Sequence, residues 1–163
     1  MRTGIGLARG QVFRKLSGAD VFPDVLWALE FPDMSAQDAD MAARAASPEF
    51  ETVRAGMRQL YQRFERPLFD PIWQQAGAAD AAYPHVTFEW VITNDTGELV
   101  EQMEQAAMAH CRATRGAASV LQRLTEEDAL PLLVLEMRGK AGATQALARR
   151  GIRSLRGEFS AQD

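Results

Sequence analysis

The sequence predicts an α+β protein built from tandem ferredoxin-like units with antiparallel sheets, in which the first unit is incomplete. Two observations support this prediction: a β-hairpin pattern that occurs twice, and a βαββαβ order of predicted elements over residues 85–163. The chain has 163 residues, of which 47% are hydrophobic and 25% charged, and this balance is typical of a globular domain with a substantial core.

Charge and composition exclude several classes of partner. The 22 acidic and 18 basic residues are mixed along the chain, so we expect no nucleic-acid partner. One cysteine, Cys111, and two histidines, His85 and His110, exclude an internal disulfide and are too few for a thiolate or histidine zinc site. Because no apolar run approaches the roughly 20 residues of a membrane helix and no secretory signal opens the chain, we expect no membrane contact and a cytoplasmic location.

The first 73 residues predict a hairpin followed by helices. Residues 11–16 and 25–31 are strand-like, and 18–23 is the turn between them. Ser35 is a candidate cap for an alanine-rich helix, and Ser47-Pro48-Glu49 is a stronger start signal for a second one. The second helix carries an apolar stripe that we interpret as core: Phe50, Val53, Met57, Leu60, Tyr61 and Phe64.

The remaining residues predict a linker and a second, complete unit. The alanine- and glycine-rich segment within 74–84 is typical of a linker, and 85–94 alternates as a strand with two different faces. We therefore place a partial unit at 1–73 and a βαββαβ unit at 85–163. Further elements are predicted as a helix after Gly97, a hairpin of 119–124 and 132–137, a helix at 141–150 and a strand at 152–159.

The two hairpins resemble each other in sequence. Val12-Phe13-Arg14-Lys15-Leu16-Ser17 matches Val120-Leu121-Gln122-Arg123-Leu124-Thr125 at an offset of 108 residues, and Leu29-Glu30-Phe31 matches Leu135-Glu136-Met137. The repeat would place the missing strand and helix of the first unit before Met1. Either the unit is natively truncated or the chain starts inside a longer product, and the vacant sheet edge favours a homodimer.

The first unit also resembles a known superfamily. The run Val25-Leu26-Trp27-Ala28-Leu29-Glu30-Phe31, a polar helix and then Ala45-Ala46-Ser47-Pro48-Glu49-Phe50 are similar to the dimeric α/β-barrel superfamily, which includes antibiotic-biosynthesis monooxygenases and NIPSNAP-like proteins. The likeness covers residues 11–73, whereas the second unit is similar only in element order and hairpin. It implies sheets that pair, between chains or tandem copies, into a barrel that holds a small ligand.

The resemblance does not select one reaction. The superfamily includes cofactor-free oxygenases of aromatic polyketides, haem proteins and isomerases. Many monooxygenase-like members have a histidine three residues before the serine of the Ser-Pro-Glu-Phe segment, and this chain has Arg44 there. Chemistry that depends on that histidine is therefore not expected here.

The candidate catalytic residues are Glu89 and His85. Glu89 shares a predicted strand face with Thr87, so both can point into a barrel cavity, where burial would raise the carboxyl pKa and suit proton transfer. His85 lies at the predicted strand end, at a barrel mouth. The alternative for each is a structural role, because a charged strand face is often only solvated.

The candidate ligand-binding residues are aromatic or polar. Trp27, Trp90 and Tyr61 are interpreted as sides of an aromatic pocket, with Thr87 as a polar contact. Haem ligation by His85 or His110 is a further alternative, and otherwise no cofactor is expected.

Three hypotheses for function remain open. The first is a small-molecule-binding α/β-barrel protein, with cofactor-free oxygenation of an aromatic or polyketide-like substrate as its possible reaction. The second is a non-catalytic assembly module that uses its sheet edge. The third is haem binding, and whether the protein is an enzyme at all is left open by the sequence.

Overall fold

The computed structural model describes residues 9–60, 67–78, 83–93, 97–124, 132–143 and 145–162. These residues form seven strands, three α-helices and a short 3-10 helix at Ala148–Arg150. In chain order they are β1 (Arg9–Gly18), β2 (Val25–Glu30), α1 (Met34–Ala45), α2 (Pro48–Arg58), β3 (Phe69–Gln75), β4 (His85–Ile92), α3 (Gly97–Thr114), β5 (Ala117–Arg123), β6 (Leu132–Gly139) and β7 (Leu155–Gln162).

The predicted α+β class is confirmed, because the strands form one sheet in the order β2-β1-β7-β4-β6-β5-β3. Strand β4 pairs antiparallel with both β6 and β7, and β5 pairs antiparallel with β6 and β3. It follows that β4 and β5 are parallel and flank β6, while β6 and β7 are parallel and flank β4. Helix α3 makes the first of these crossovers and the segment 140–154 makes the second.

The described residues divide into two compact units. The first comprises 9–12 and 27–60, and the second comprises 13–26 and 67–162. Within the first unit, Ser47 caps α2 as predicted, since its hydroxyl accepts a hydrogen bond from the Phe50 N–H at 3.1 Å. The cap of α1 is Asp33 rather than Ser35, because its carboxylate accepts from the Ala36 N–H at 2.8 Å.

The core of the second unit lies between α3 and the sheet. One face of α3 is buried and packs on inward side chains of β4, β5 and β6. The fully buried members include Met103, Ala107, Val120 and Leu135. Because each large aliphatic side chain contributes roughly 1.5–3 kcal/mol when buried, this cluster contributes strongly to the stability of the unit.

Three sequence-based expectations are corrected. The helix predicted at 141–150 is wrong, since the described part of that segment holds only the 3-10 helix at its end. Strand β3 was not predicted, and Gln74 and Gln75, assigned to the linker, are its last two residues. The stripe of α2 is not core: no residue of α2 is buried, and Val53 is 40% exposed. Tyr61 and Phe64 of that stripe lie outside the described residues.

The two hairpins differ in which positions they bury. The sequence repeat aligns Val12 with Val120, yet Val12 is 36% exposed while Val120 is fully buried. In β1 it is the neighbouring Phe13 that is fully buried. Since side chains alternate between sheet faces, aligned positions face opposite environments, and the internal repeat stays a prediction.

No helix among the described residues is long and apolar enough to cross a membrane.

Candidate functional site

Strand β4 carries most of the predicted site, and its two faces have different surroundings. Thr87 and Glu89 lie on the face that packs toward α3 and the segment 140–154, whereas Phe88 and Trp90 lie on the opposite face with the aromatic side chains of the sheet. The predicted residues of this strand therefore do not form one pocket. His85 opens the strand opposite Gly139 and is half-buried.

On the α3 face, Thr87 and Glu89 support the loop that replaces the predicted helix. The Thr87 hydroxyl accepts a hydrogen bond from the Ala143 N–H, and the Glu89 carboxylate accepts one from the Leu147 N–H, both at 3.1 Å. In a helix over 141–150, the Leu147 N–H would donate to the Ala143 carbonyl, whereas the Ala143 N–H lies in the first turn and would have no acceptor within the helix. Here two side chains of β4 accept hydrogen bonds from both amides, which stabilises the loop in its non-helical conformation.

Glu89 is a buried carboxyl group, with 1% of its surface exposed. Burial raises its pKa above the ordinary value, and the Leu147 hydrogen bond and the charge of Arg156 offset part of that rise. The nearest cationic atom is Arg156 Nη1, at 3.8 Å from Glu89 Oε1. Glu89 thus accepts a hydrogen bond from the loop and forms a longer-range ion pair with a guanidinium whose Nη1 makes no hydrogen bond.

Arg156 lies on β7 directly across from Glu89 and is the most connected charged side chain of this region. Its Nη2 donates to the Ala143 carbonyl and to Glu158 Oε1, the latter at 2.6 Å. The Ser17 hydroxyl lies 3.5 Å from the other oxygen of Glu158. One guanidinium thus joins two carboxylates and a loop carbonyl, a geometry for which the planar fork of arginine is suited.

An open cleft of about 610 Å³ lies beside this arginine. Its lining is mostly polar and comes from the 3-10 helix segment and β7: Gln145, Ala148, Arg149, Arg156 and Glu158. The size falls in the range of roughly 300–1,000 Å³ that small-molecule sites occupy. None of these residues was singled out from the sequence. The signal that was available is the alternation of Arg156 and Glu158 with Gly157 and Phe159 along one strand.

The aromatic face of β4 is filled by the chain itself. Phe22, in the turn between β1 and β2, lies with its ring centroid 4.5 Å from that of Trp90 and 6.1 Å from that of Phe159. It rests on Gly157, where a Cβ atom would come within 2.8 Å of the Phe22 ring. Phe22 is 2% exposed, so in this structure the predicted contact surface of Trp90 is occupied by a phenylalanine.

Trp27 belongs to the first unit, where Arg44 lies close to it. The Arg44 guanidinium carbon is 5.8 Å from the centre of the Trp27 ring and 5.5 Å from that of Phe50. The same guanidinium pairs with Asp40 at 2.5 Å, and Asp40 is 2% exposed. Arg44, which stands where the resemblance predicts a histidine, is thus engaged in a buried ion pair. Tyr61, the remaining aromatic candidate, lies outside the described residues.

The histidines and acids give no sign of a metal centre in the described part of the chain. No group of three or more His, Cys, Asp or Glu side chains there is placed to hold an ion. His110 Nε2 lies 3.0 Å from the Arg138 carbonyl, to which it donates, so haem ligation through Nε2 would break this bond. Glu136 pairs with Arg138 at 2.6 Å on the face away from α3.

No protein-family model, curated protein or solved structure matches this chain. The resemblance to the dimeric α/β-barrel superfamily and a catalytic role for Glu89 or His85 therefore stay predictions.

Proposed function

We propose that this chain is a small-molecule-binding protein of the ferredoxin-like, dimeric α/β-barrel type, and that its ligand binds in the cleft beside Arg156. The observation that supports this most directly is the set of contacts of Arg156. Its guanidinium pairs with buried Glu89 and donates to the Ala143 carbonyl, and the same side chain lines an open cleft. A guanidinium fixed in this way loses little side-chain freedom when a ligand binds.

The topology of the second unit agrees with the proposed fold type. Each of its two crossovers, β4 to β5 and β6 to β7, joins parallel strands that are separated by one other strand. This arrangement is the split βαβ unit, and two of them interleaved make the ferredoxin-like βαββαβ order. The second crossover has a loop and a 3-10 helix in place of the usual helix, and this segment lines the cleft together with β7.

The proposal gives Glu89 a positioning role rather than contact with ligand. At 1% exposure it does not reach the cleft, but it fixes both Arg156 and the N–H of Leu147, which precedes two lining residues, Ala148 and Arg149. The direct contacts fall to the two arginines and Gln145. Cofactor-free oxygenation, one of the activities of the superfamily that the first unit resembles, is not needed for this binding function.

A fragment screen followed by amide chemical shifts tests the proposal. We expect at least one member of a panel of anionic, neutral and cationic aromatic fragments to shift the amide signals of Gln145, Ala148 and Arg149. Arg156→Lys should weaken that binding, because lysine keeps the charge but loses the planar fork. Arg153→Ala is the matched control, since Arg153 is exposed and does not line the cleft. If no fragment shifts the cleft signals of the folded protein, the proposal is wrong.

Self-association through β2 is a second candidate function. Strand β2 ends the sheet, exposes Val25 at 56% and Trp27 at 37%, and contains no proline. The opposite end strand, β3, contains Pro71 and a register shift between Pro71 and Trp73, devices that discourage pairing with another chain. We propose that a second copy pairs along β2 to give the expected homodimer.

Light scattering over a concentration series tests this second candidate. The wild-type chain is expected to be dimeric and Val25→Lys monomeric with unchanged circular dichroism, whereas Ile72→Lys on β3 should leave the dimer intact. A monomeric wild-type protein at high micromolar concentration would exclude association through β2.

A further inference from the structure

Glu158 places a carboxylate inside the candidate cleft. Its Oε1 lies 2.6 Å from Arg156 Nη2, and its side chain is 30% exposed on the cleft side. Contact of this kind between a guanidinium and a carboxylate is the interaction by which arginine recognises acidic ligands. The cleft therefore already contains a carboxylate, the group that an arginine binds best.

We infer that the cleft takes a compact carboxylate ligand, and that Glu158 occupies the ligand's place on Arg156 when no ligand is bound. This inference rests on the proposed binding function of the cleft. Glu158 then competes with the ligand for Arg156 and so determines specificity. Only a ligand that offers a carboxylate and makes further contacts displaces it.

The charges around the cleft favour an anion over a cation. Two arginines and one glutamate line it, and Arg149 is exposed and makes no ion pair within the described part of the chain. Glu89, the remaining charged neighbour of Arg156, is buried behind it and does not line the cleft. A bound carboxylate thus gains Arg149 as a second cationic partner, one that Glu158 does not use.

The surroundings of Glu158 allow its side chain to leave. Besides Arg156, the Glu158 carboxylate contacts the Ser17 hydroxyl, at the long distance of 3.5 Å. Gly142 lies beside it, where a Cβ atom would come within 3.1 Å of the carboxylate, so the missing side chain leaves room for a carboxylate at this position. Partly exposed ion pairs exchange partners at little cost.

Three probes of matched shape test the inference: benzoate, benzamide and benzylamine, each titrated by calorimetry into the whole chain. We expect benzoate to bind more tightly than the neutral and cationic probes. Glu158→Gln removes the competing charge and should tighten benzoate binding about tenfold, with Glu101→Gln on exposed α3 surface as the control. Arg149→Ala should weaken benzoate binding about tenfold, whereas Arg153→Ala should leave it unchanged.

The outcomes separate this inference from the proposed function. Binding of benzamide or benzylamine at the cleft in preference to benzoate would overturn the inference and leave the binding function standing. Weaker benzoate binding by Glu158→Gln would also overturn it, because Glu158 would then be a ligand contact. If none of the probes nor any screened fragment shifts the signals of Gln145 and Ala148, the proposed function itself fails.

Discussion

The most buried described carboxylate of each unit, Asp40 in the first and Glu89 in the second, is held in an opposite way. Asp40 in the first unit is 2% exposed and pairs with Arg44 of the same helix, four residues further on, at 2.5 Å. Glu89 in the second unit is 1% exposed, and its hydrogen-bond partner Leu147 lies 58 residues away in sequence. The partner of Asp40 is in position once α1 has formed, whereas that of Glu89 requires the assembled sheet and loop.

The difference shows which buried charges a sequence can reveal. A pair at i and i+4 on a helix is visible in the sequence pattern itself. A carboxylate that serves backbone amides of a distant loop has no such signature. The variants below test whether the local pair is the costlier to break, and they run from the largest expected effect to the smallest.

Asp40→Ala is expected to be the most destabilising change. It leaves the Arg44 guanidinium largely buried without its carboxylate, and removal of one partner from a buried pair costs about 3–5 kcal/mol. Urea unfolding followed by circular dichroism measures the loss. Asp38→Ala, on an exposed position of the same helix, should cost less than about 0.5 kcal/mol. Equal losses for the two variants would show that the pair contributes nothing specific.

Glu89→Ala should cost about 1–3 kcal/mol, because the Leu147 N–H is left buried without an acceptor. Glu89→Gln keeps an oxygen acceptor for that amide and should recover most of the loss. The same unfolding assay applies, with exposed Glu101→Ala as the control. If Glu89→Gln is as unstable as Glu89→Ala, the charge on Glu89 rather than its hydrogen bond holds the loop.

The pH dependence of Glu89 has a defined sign. Its native pKa is raised above the ordinary value of 4.5, chiefly by burial, so the folded state binds the proton more tightly than the unfolded state. The stability that Glu89 contributes is therefore fully present below pH 4.5 and declines as the pH rises through the native pKa. Relative to Glu89→Gln, wild-type protein should gain stability as the pH is lowered from 7 toward 4. A difference that stays constant over this range would contradict the shift.

Ser47→Ala should have the smallest effect, about 1 kcal/mol, through loss of the α2 cap. Its partner, the Phe50 N–H, is three residues away, so the interaction is as local as that of Asp40 but only partly buried. Thermal unfolding measures the change. Ser47→Asp, which restores a capping oxygen, should return the melting temperature to that of wild type, and its failure to do so would argue against a capping role.

Local chemistry explains which parts of the fold were predictable. The first hairpin, the cap at Ser47, the alternating strand β4 and the second hairpin all follow from patterns within about ten residues. Strand β3 was missed because Pro71 interrupts its pattern, and only pairing with β5 makes a strand of it. The segment after Lys140 was assigned to a helix because its residues favour one, yet Thr87 and Glu89 take over two of its amides.

The candidate site was also predictable only where a local pattern marks it. Alternation along β4 identified Glu89 and Thr87, but not that they face a loop rather than a cavity. Arg156 acquires its importance only through the register that places it across from Glu89, and register between strands far apart in sequence leaves no local mark. The cleft depends on that register as well.

The packing of Phe22 against Gly157 also constrains the order in which the chain folds during synthesis. The ring and its glycine are separated by 135 positions in the sequence, from 22 to 157. At about 5–20 residues per second, a ribosome delivers Gly157 many seconds after Phe22. Until then the Phe22 ring lacks its packing contact with Gly157 and is accessible to other nascent chains. We expect the turn of the first hairpin to be a late-folding segment and a site where chaperones bind during translation.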